Sequence, residues 1–358
     1  MQENYIGIMC GTSLDSLDFS LCVFKPKLNV KKFKSFRLSP RLKEIIDECK
    51  SKPHDKALFN KADQEVTDFI ITSLLKFKKY TNVKEIKAIG YPGITVVHNP
   101  KKGISKTLGN SKKIVLKTQF KLISDFRLTD MTLGGQGAPL APYFHDYISK
   151  KNEDFVNILN LGGFANLTFK SQNRLVAYDT GPANYLIDLI SKNYFGTDYD
   201  KSGFIAKASK VNDRALLAML SDEYFNQDAP KSTGFEKFNL KWLDKFIKKF
   251  KLNNKKTLLA TLTQLTIITI SDEICKNHLD SPYIFFSGGG SKNTFIKKQI
   301  LTRTGLTEIK SLPGNLDYKN LEASAFAWFA MKRDKGNLIS KAYLTGAKNS
   351  RRLGIIYR

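Results

Sequence analysis

Three short segments have residue types suited to phosphoryl transfer, and each follows an apolar run. Gly11-Thr12-Ser13-Leu14-Asp15 offers two hydroxyls and successive backbone N–H groups, a shape that wraps phosphate oxygens, and Asp15 or Asp18 could hold Mg²⁺ directly or through water. The competing reading is an ordinary hairpin turn. Gly288-Gly289-Gly290 lies between an apolar stretch and a helical one, so a ligand can approach the backbone closely and a helix N-terminus faces negative charge. It fits neither the P-loop pattern nor the dinucleotide G-x-G-x-x-G fingerprint, because Lys292 and Asn293 stand where the later glycine belongs. A plain tight turn is the alternative there. Asp179 ends an apolar run ahead of Thr180-Gly181-Pro182, where a carboxylate at the carboxyl edge of a sheet can take a proton from a hydroxyl or water. Taken alone, an aspartate in that place also reads as a helix N-cap.

The elements that must position these groups follow from periodicity. Residues 5–9 read as a strand, and Phe19, Leu21 and Val23 alternate with Ser20 and Cys22 as a second, so Gly11-Thr12-Ser13 tips a hairpin. Helices are expected over 41–50 and 61–77, the latter with Val66, Phe69, Ile70, Leu74 and Leu75 at helical spacing. A short strand over 87–91 ends at Pro92-Gly93. The second half repeats the theme: a strand over 155–160, the turn Gly162-Gly163, strands over 166–170 and 175–178, then Asp179 to Pro182 as a turn opening a helix. Later come a strand over 283–286, the triple glycine and a helix over 293–301. No long linker separates the halves. The expected division is an N-terminal lobe over 1–130 with the phosphate hairpin and a C-terminal lobe over 131–358 with Asp179 and the triple glycine, its final helix and tail packing back on the first lobe.

A length of 358 residues at about 150 per domain gives two domains. With 42% hydrophobic and 25% charged residues the composition is globular and excludes disordered and collagen-like chains. Subtracting 33 acidic from 58 basic residues leaves +25, which would suit a polyanion. The lysines, however, come in pairs along most of the chain, as at Lys31-Lys32, Lys112-Lys113 and Lys255-Lys256, and this reads as a solvated surface rather than a nucleic-acid face. Cys10, Cys22, Cys49 and Cys275 and the four histidines lack metal-ligand spacing, against a disulfide framework or zinc site. No apolar run approaches the roughly 18 residues of a membrane span, and the N-terminus has no secretory pattern, so a cytoplasmic protein without a membrane partner is expected.

Taken together, Gly11-Thr12-Ser13-Leu14-Asp15, Asp125-Phe126-Arg127, Gly134-Gly135-Gln136-Gly137-Ala138-Pro139-Leu140, Asn160 to Thr168, and Asp179-Thr180-Gly181-Pro182-Ala183-Asn184 resemble the anhydro-N-acetylmuramic acid kinase family. So do Pro230-Lys231-Ser232-Thr233-Gly234, Ala260-Thr261-Leu262-Thr263, Gly288-Gly289-Gly290 with Asn293, Glu322-Ala323 and Thr345-Gly346-Ala347, in the family's order across nearly the whole chain. The resemblance implies an α/β, two-lobed fold of the sugar kinase/Hsp70/actin class, with a central mixed sheet in each lobe and an ATP cleft between them. It implies ATP and Mg²⁺ as cofactors and a small amino sugar as partner, with a homodimer left open. The implied reaction is hydrolytic opening of 1,6-anhydro-N-acetylmuramic acid with phosphorylation to N-acetylmuramic acid 6-phosphate, a step of peptidoglycan recycling.

Carried over by position, Asp179 matches the general base and Glu322 an acidic group near the reacting atoms. Gly11, Thr12, Ser13, Asp15 and Asp18 match the phosphate loop, with the metal ligand left open between Asp15 and Asp18, and Gly162, Gly163, Gly288, Gly289, Gly290 and Asn293 match the nucleotide side. Arg127, Thr95, His98, Gly135 and Gln136 match the sugar side, where the Arg127 fork would pair with the lactyl carboxylate. The chain departs from the family pattern Gly-x-His-Gly-Gln-Thr-x-x-His, having Pro92 for the first histidine and Ile94 for the glutamine. Ser16, Ala183 and Phe235 replace a typical Gly, Gly and Arg. Two rival readings follow: a kinase of the same fold acting on another sugar, and a non-catalytic polyanion-binding relative.

Overall fold

The computed structural model describes residues 2–11, 13–149, 155–229 and 231–358, so Thr12 of the expected phosphate loop lies outside the described residues. The chain forms two compact units, Met1–Ile148 with Leu312–Arg358, and Ser149–Ser311.

The first unit opens with an antiparallel meander of β1 (Tyr5–Cys10), β2 (Ser16–Val23) and β3 (Asn29–Arg37). β3 is an edge strand whose lysines face solvent, which blunts pairing with other chains. Helix α1 (Pro40–Ser51) starts where Ser39 Oγ accepts the Leu42 N–H and Pro40 stands in the first turn, and α2 (Lys56–Thr81) is capped by Asp55 in the same way. β4 (Ala88–Gly90) returns parallel to β1, and a separate hairpin of β5 (Ile94–Asn99) and β6 (Ile104–Leu108) follows. Then come α3 (Ser111–Thr118), β7 (Leu122–Ser124) parallel to β4, α4 (Phe126–Met131) and α5 (Ala141–Ser149).

The second unit repeats this plan. β8 (Asn157–Leu161), β9 (Phe164–Ser171) and β10 (Arg174–Pro182) form an antiparallel meander. Helices α6 (Asn184–Phe195), α7 (Phe204–Lys207), α8 (Asp213–Leu220), α9 (Leu240–Phe250) and α10 (Lys255–Lys276) follow. β11 (Tyr283–Ser287), α11 (Thr294–Thr304) and β12 (Thr307–Glu308) complete it, with β11 parallel to β8 and β12 parallel to β11. The strand orders β3-β2-β1-β4-β7 and β10-β9-β8-β11-β12 are the same, meander first and parallel returns after. Each unit therefore carries the central mixed sheet that the resemblance implies.

Residues 131–148 belong to the first unit, beyond the expected boundary at 130, and the segment from Leu312, expected to pack back on the first lobe, belongs to it as well. Helix α12 (Leu321–Asp334) lies directly on the first sheet: a Cβ at Gly7 would come within 1.7 Å of Ala323 O, and one at Gly90 within 2.1 Å of Phe326 O. Only residues without side chains permit that approach. α5 packs on the same helix through Tyr147 and Trp328, whose ring centroids are 5.4 Å apart, and β13 (Ile355–Tyr357) extends the sheet antiparallel to β7.

Two further expectations change. β10 does not turn at Asp179 but runs on to Pro182, so Asp179 is a strand residue and Ala183, not Asp179, occupies the cap position of α6. The register Gly181↔Ala165 and Pro182↔Phe164 keeps β10 paired past a bulge between Asp179 and Gly181, and as an edge strand it tolerates the missing proline N–H. α10, moreover, is long and apolar enough by length and composition to cross a membrane, where the sequence reading found no such run. Within its unit 78% of that window is buried, and Thr261 and Thr263 return their hydroxyls to the carbonyls of Thr257 and Leu259 at 2.7 and 2.9 Å. It is a core helix, and these two buried hydroxyls are satisfied along its own backbone.

Candidate active site

In the first unit the β1–β2 turn is closed by the Leu14 N–H donating to Gly11 O at 3.0 Å. Asp15 is exposed and pairs with Lys43 at 3.4 Å, while Asp18 is half-buried and accepts from Ser16 Oγ at 2.9 Å. Burial raises the Asp18 carboxyl, opposed by its hydrogen bonds from Ser35 and Ser16, and the Asp15 charge raises it further. Glu322 stands in the first turn of α12. Burial chiefly pushes the Cys10 thiol up to about 12; the Lys50 charge opposes this and the charges of Asp18, Asp15 and Glu322 add to it.

A second group of the same unit surrounds the loop after α4. His98 Nε2 lies 2.9 Å from Gln136 O, and because a carbonyl only accepts, Nε2 carries the proton. Burial and the nearby Arg127 charge lower the His98 pKa, leaving the imidazole neutral at pH 7. Arg127 Nη1 donates to Gly137 O at 3.1 Å. Gly135 is buried, the Gln136 side chain is exposed, and Thr95 is half-buried opposite Thr107 in the β5–β6 hairpin. Ile94 is 5% exposed and belongs to the unit's apolar core, so the family's polar donor at that position is replaced by a core contact.

Sequence reasoning missed what fixes this loop. Asp130 Oδ2 accepts the Gly137 N–H at 2.8 Å, and its Oδ1 accepts Thr345 Oγ1 at 2.9 Å and the Arg351 guanidinium. Gln136 N donates to Thr345 O at 2.7 Å. The Asp130 and Arg351 side chains are 0% and 1% exposed, a charge pair fully inside the unit. The available signal was the Thr345-Gly346-Ala347 motif, which has no chemistry of its own and here serves as the loop's anchor.

In the second unit, Asp179 Oδ2 accepts the Thr233 N–H at 3.0 Å. Its pKa is pushed up to about 6, by burial first; the Thr233 hydrogen bond opposes this and the Glu236 charge adds to it. The nucleotide-side glycines meet elsewhere in the unit. Asn184 Nδ2 donates to Leu161 O and Gly162 O at 3.0 and 2.7 Å, and the Ala183 and Tyr185 N–H groups donate to Gly163 O at 2.9 and 3.1 Å. A Cβ at Gly290 would fall 2.4 Å from Asn184 Nδ2, so the triple-glycine turn closes directly onto this knot. The turn continues as a 3₁₀ segment, Gly289–Lys292, and Asn293 Oδ1 caps α11 by accepting the Ile296 N–H at 3.1 Å.

A family model described as anhydro-N-acetylmuramic acid kinase matches residues 3–358. The chain belongs to the anhydro-N-acetylmuramic acid kinase family. It is 37% identical to the anhydro-N-acetylmuramic acid kinase of Sulfurovum sp. (strain NBC37-1) over 99% of each chain. The enzyme of the same name from Aliivibrio fischeri is 33% identical over 99% of each chain, and that of Pasteurella multocida is 35% identical over 99% of this chain and 96% of the relative. Membership makes this protein a phosphotransferase acting on a sugar; of the two departures from the family pattern, Pro92 lies in the β4–β5 connection and Ile94 opens β5.

Proposed function

We propose that the protein hydrolyses the 1,6-anhydro bond of 1,6-anhydro-N-acetylmuramic acid and transfers the γ-phosphoryl group of ATP to the freed oxygen, giving N-acetylmuramic acid 6-phosphate. The observation that carries this reading is the Asp179 carboxyl, held by the Thr233 N–H and raised to about 6. A base near that value is ionised at neutral pH yet basic enough to take a proton from water as it attacks the anomeric carbon. The C1–O6 bond then breaks, O6 bonds to the γ-phosphorus, and ADP leaves. Little covalent work remains for the protein, so the other residues position and neutralise charge.

The Gly11–Ser13 turn and the Gly162, Gly163 and Gly288–Gly290 knot are assigned to the nucleotide phosphates. Arg127, His98 and the Gly135–Gln136 backbone are assigned to the sugar, with the guanidinium toward the lactyl carboxylate. Among the described residues no group of three or more His, Cys, Asp or Glu could hold a metal. Asp15 and Asp18 nonetheless fit Mg²⁺, which takes one or two carboxylates and completes its shell with phosphate oxygens and water. When bound, Mg²⁺ supplies charge neutralisation at the phosphates. Dependence on ATP supports a cytoplasmic place of action.

The test is mass spectrometry of the sugar formed from the anhydrosugar and Mg-ATP in ¹⁸O-labelled water, with Asp179→Asn alongside. We expect a phosphorylated product labelled at the anomeric hydroxyl, lost in the variant. A product without label at early times would refute hydrolytic opening. No product from protein that still binds ATP would favour a different sugar acceptor, which the buried Ile94 side chain supports as the second reading.

A further inference from the structure

Under Asp179 lies a charge pair that the chemistry above does not use. Lys231 Nζ stands 2.6 Å from Glu273 Oε1, and the side chains are 2% and 9% exposed. Tyr178 OH donates to Glu273 Oε2 at 2.7 Å, and Asn277 Nδ2 donates to Tyr178 OH at 2.7 Å. The rings of Tyr178 and Tyr224 flank Lys231 Nζ at 5.6 and 5.2 Å. A buried ion pair is weak evidence of stabilisation, because both ions give up their hydration. Its connections suggest another use.

Lys231 O accepts the Asp179 N–H at 3.2 Å, and two residues on, the Thr233 N–H reaches the Asp179 carboxylate. Tyr224 OH donates to Asp179 O at 2.7 Å, and Lys231 Nζ lies 3.5 Å from Tyr224 O. Asp179 thus sits beside the β10 bulge, where the ladder to β9 shifts, and both its main-chain groups are bonded to this network. Lys231, from the segment before α9, and Tyr224, from the turn Glu223–Asn226, both bond the Asp179 backbone, and Glu273 of α10 holds Lys231.

We infer that Lys231, Glu273 and Tyr224 are positioning residues that aim the Asp179 carboxylate. The inference rests on the reading of Asp179 as general base. None of the three is assigned a contact with substrate; they act through the main chain of Asp179 and the 231–233 segment. Misaiming the base slows the chemical step and leaves the affinity for both substrates alone, a split that a merely structural role would not produce.

The experiment measures kcat and KM for both substrates, together with ATP binding by calorimetry and near-UV circular dichroism. The variants are Tyr224→Phe, Lys231→Arg, the double Lys231→Met/Glu273→Met, and Asp179→Asn. The double variant removes both charges, so neither is left buried alone. A displacement of the base near 1 Å predicts a kcat loss of roughly 10-fold for Tyr224→Phe and about 100-fold for the double variant, with both KM values held within about 2-fold. Lys231→Arg keeps the charge opposite Glu273 and should lose less kcat than the double variant. Wild-type kcat in Tyr224→Phe and in the folded double variant, with Asp179→Asn inactive, would overturn the positioning role alone. A kcat loss matched by loss of ATP binding would overturn it as well, by pointing to general disruption. If the double variant does not fold, Tyr224→Phe decides. An active Asp179→Asn would instead remove the reading of Asp179 on which the inference stands.

Discussion

On the proposal that Asp179 is the general base, its raised carboxyl bears on the pH behaviour of the protein twice over. As a general base it works ionised, so kcat/KM should rise with pH and level off above an apparent value of about 6, falling about tenfold per unit on the acid side. Rate profiles on the anhydrosugar check this, and an acid limb near the ordinary aspartate value would contradict the burial argument. The same shift bears on stability with a definite sign. An unfolded aspartate titrates near 3.9, about two units below the folded value, so the folded state holds the proton more tightly. Below about pH 4 both states are protonated and nothing is lost; as pH rises through about 6 the folded state bears the cost of a buried carboxylate, of order 1–3 kcal/mol. Asn at this position keeps an oxygen for the Thr233 N–H and carries no charge. Asp179→Asn is therefore expected to be inactive yet more stable than wild type by about 1–3 kcal/mol at pH 8, with no gain at pH 4, by urea denaturation. A variant less stable than wild type at pH 8 would show that the carboxylate is better solvated than its surroundings imply.

The elements depend on a few contacts far apart in sequence. The 134–137 loop is held by Asp130, and Asp130 by Arg351, 221 residues away. Arg351 Nε and Nη1 are buried without hydrogen-bond partners, so its charge is answered by Asp130, with Thr345 and Tyr143 at 2.8 and 2.7 Å as neutral acceptors. Asp130→Asn would leave a buried cation without its counter-ion, and about 3–5 kcal/mol of stability should go with it. The loop that carries Gln136 O to His98 and Gly137 O to Arg127 would loosen at the same time, raising KM for the sugar in the surviving folded fraction. Thermal unfolding and sugar saturation curves check both. This pair also marks the limit of what the sequence discloses. Hairpins such as β1–β2 are legible because alternation and turn glycines are local signals, and so are α2 and the strand before the triple glycine. The end of β10 is not, since Asp-Thr-Gly-Pro has turn composition and contacts distant in sequence, with β9, Lys231 and Tyr224, keep it extended. Glu273 belongs to no motif within the largely buried α10, and nothing near Gly7 announces that a helix more than 300 residues later will lie on it. Asp179 and the glycine turns are recognisable by motif, whereas the groups that hold them are defined only by contact.

At the scale of the molecule, two units with one strand order share a surface chemistry dominated by lysine. The ion pairs Arg41–Glu65, Lys52–Glu48, Lys87–Glu85 and Lys276–Asp228 are solvent-exposed to differing degrees, and pairs of that kind contribute little in water. A net charge of +25 leaves a large excess of positive charge, and self-repulsion of this kind opposes the compact state. Added salt shortens the screening length from about 10 Å at 0.1 M to about 3 Å at 1 M, which weakens repulsion between distant surface charges while sparing the buried Lys231–Glu273 and Asp130–Arg351 pairs. The melting temperature is accordingly expected to rise between low salt and 0.5 M NaCl, measured by calorimetry. Sodium chloride is the appropriate salt because sulfate would strengthen apolar burial by itself. A falling melting temperature would mean that surface attractions outweigh the net charge. The same titration separates a lysine surface from a polyanion site: diffuse charge should release heparin at modest salt, with equal retention of wild type and Asp179→Asn, whereas retention at high salt would require a built basic site.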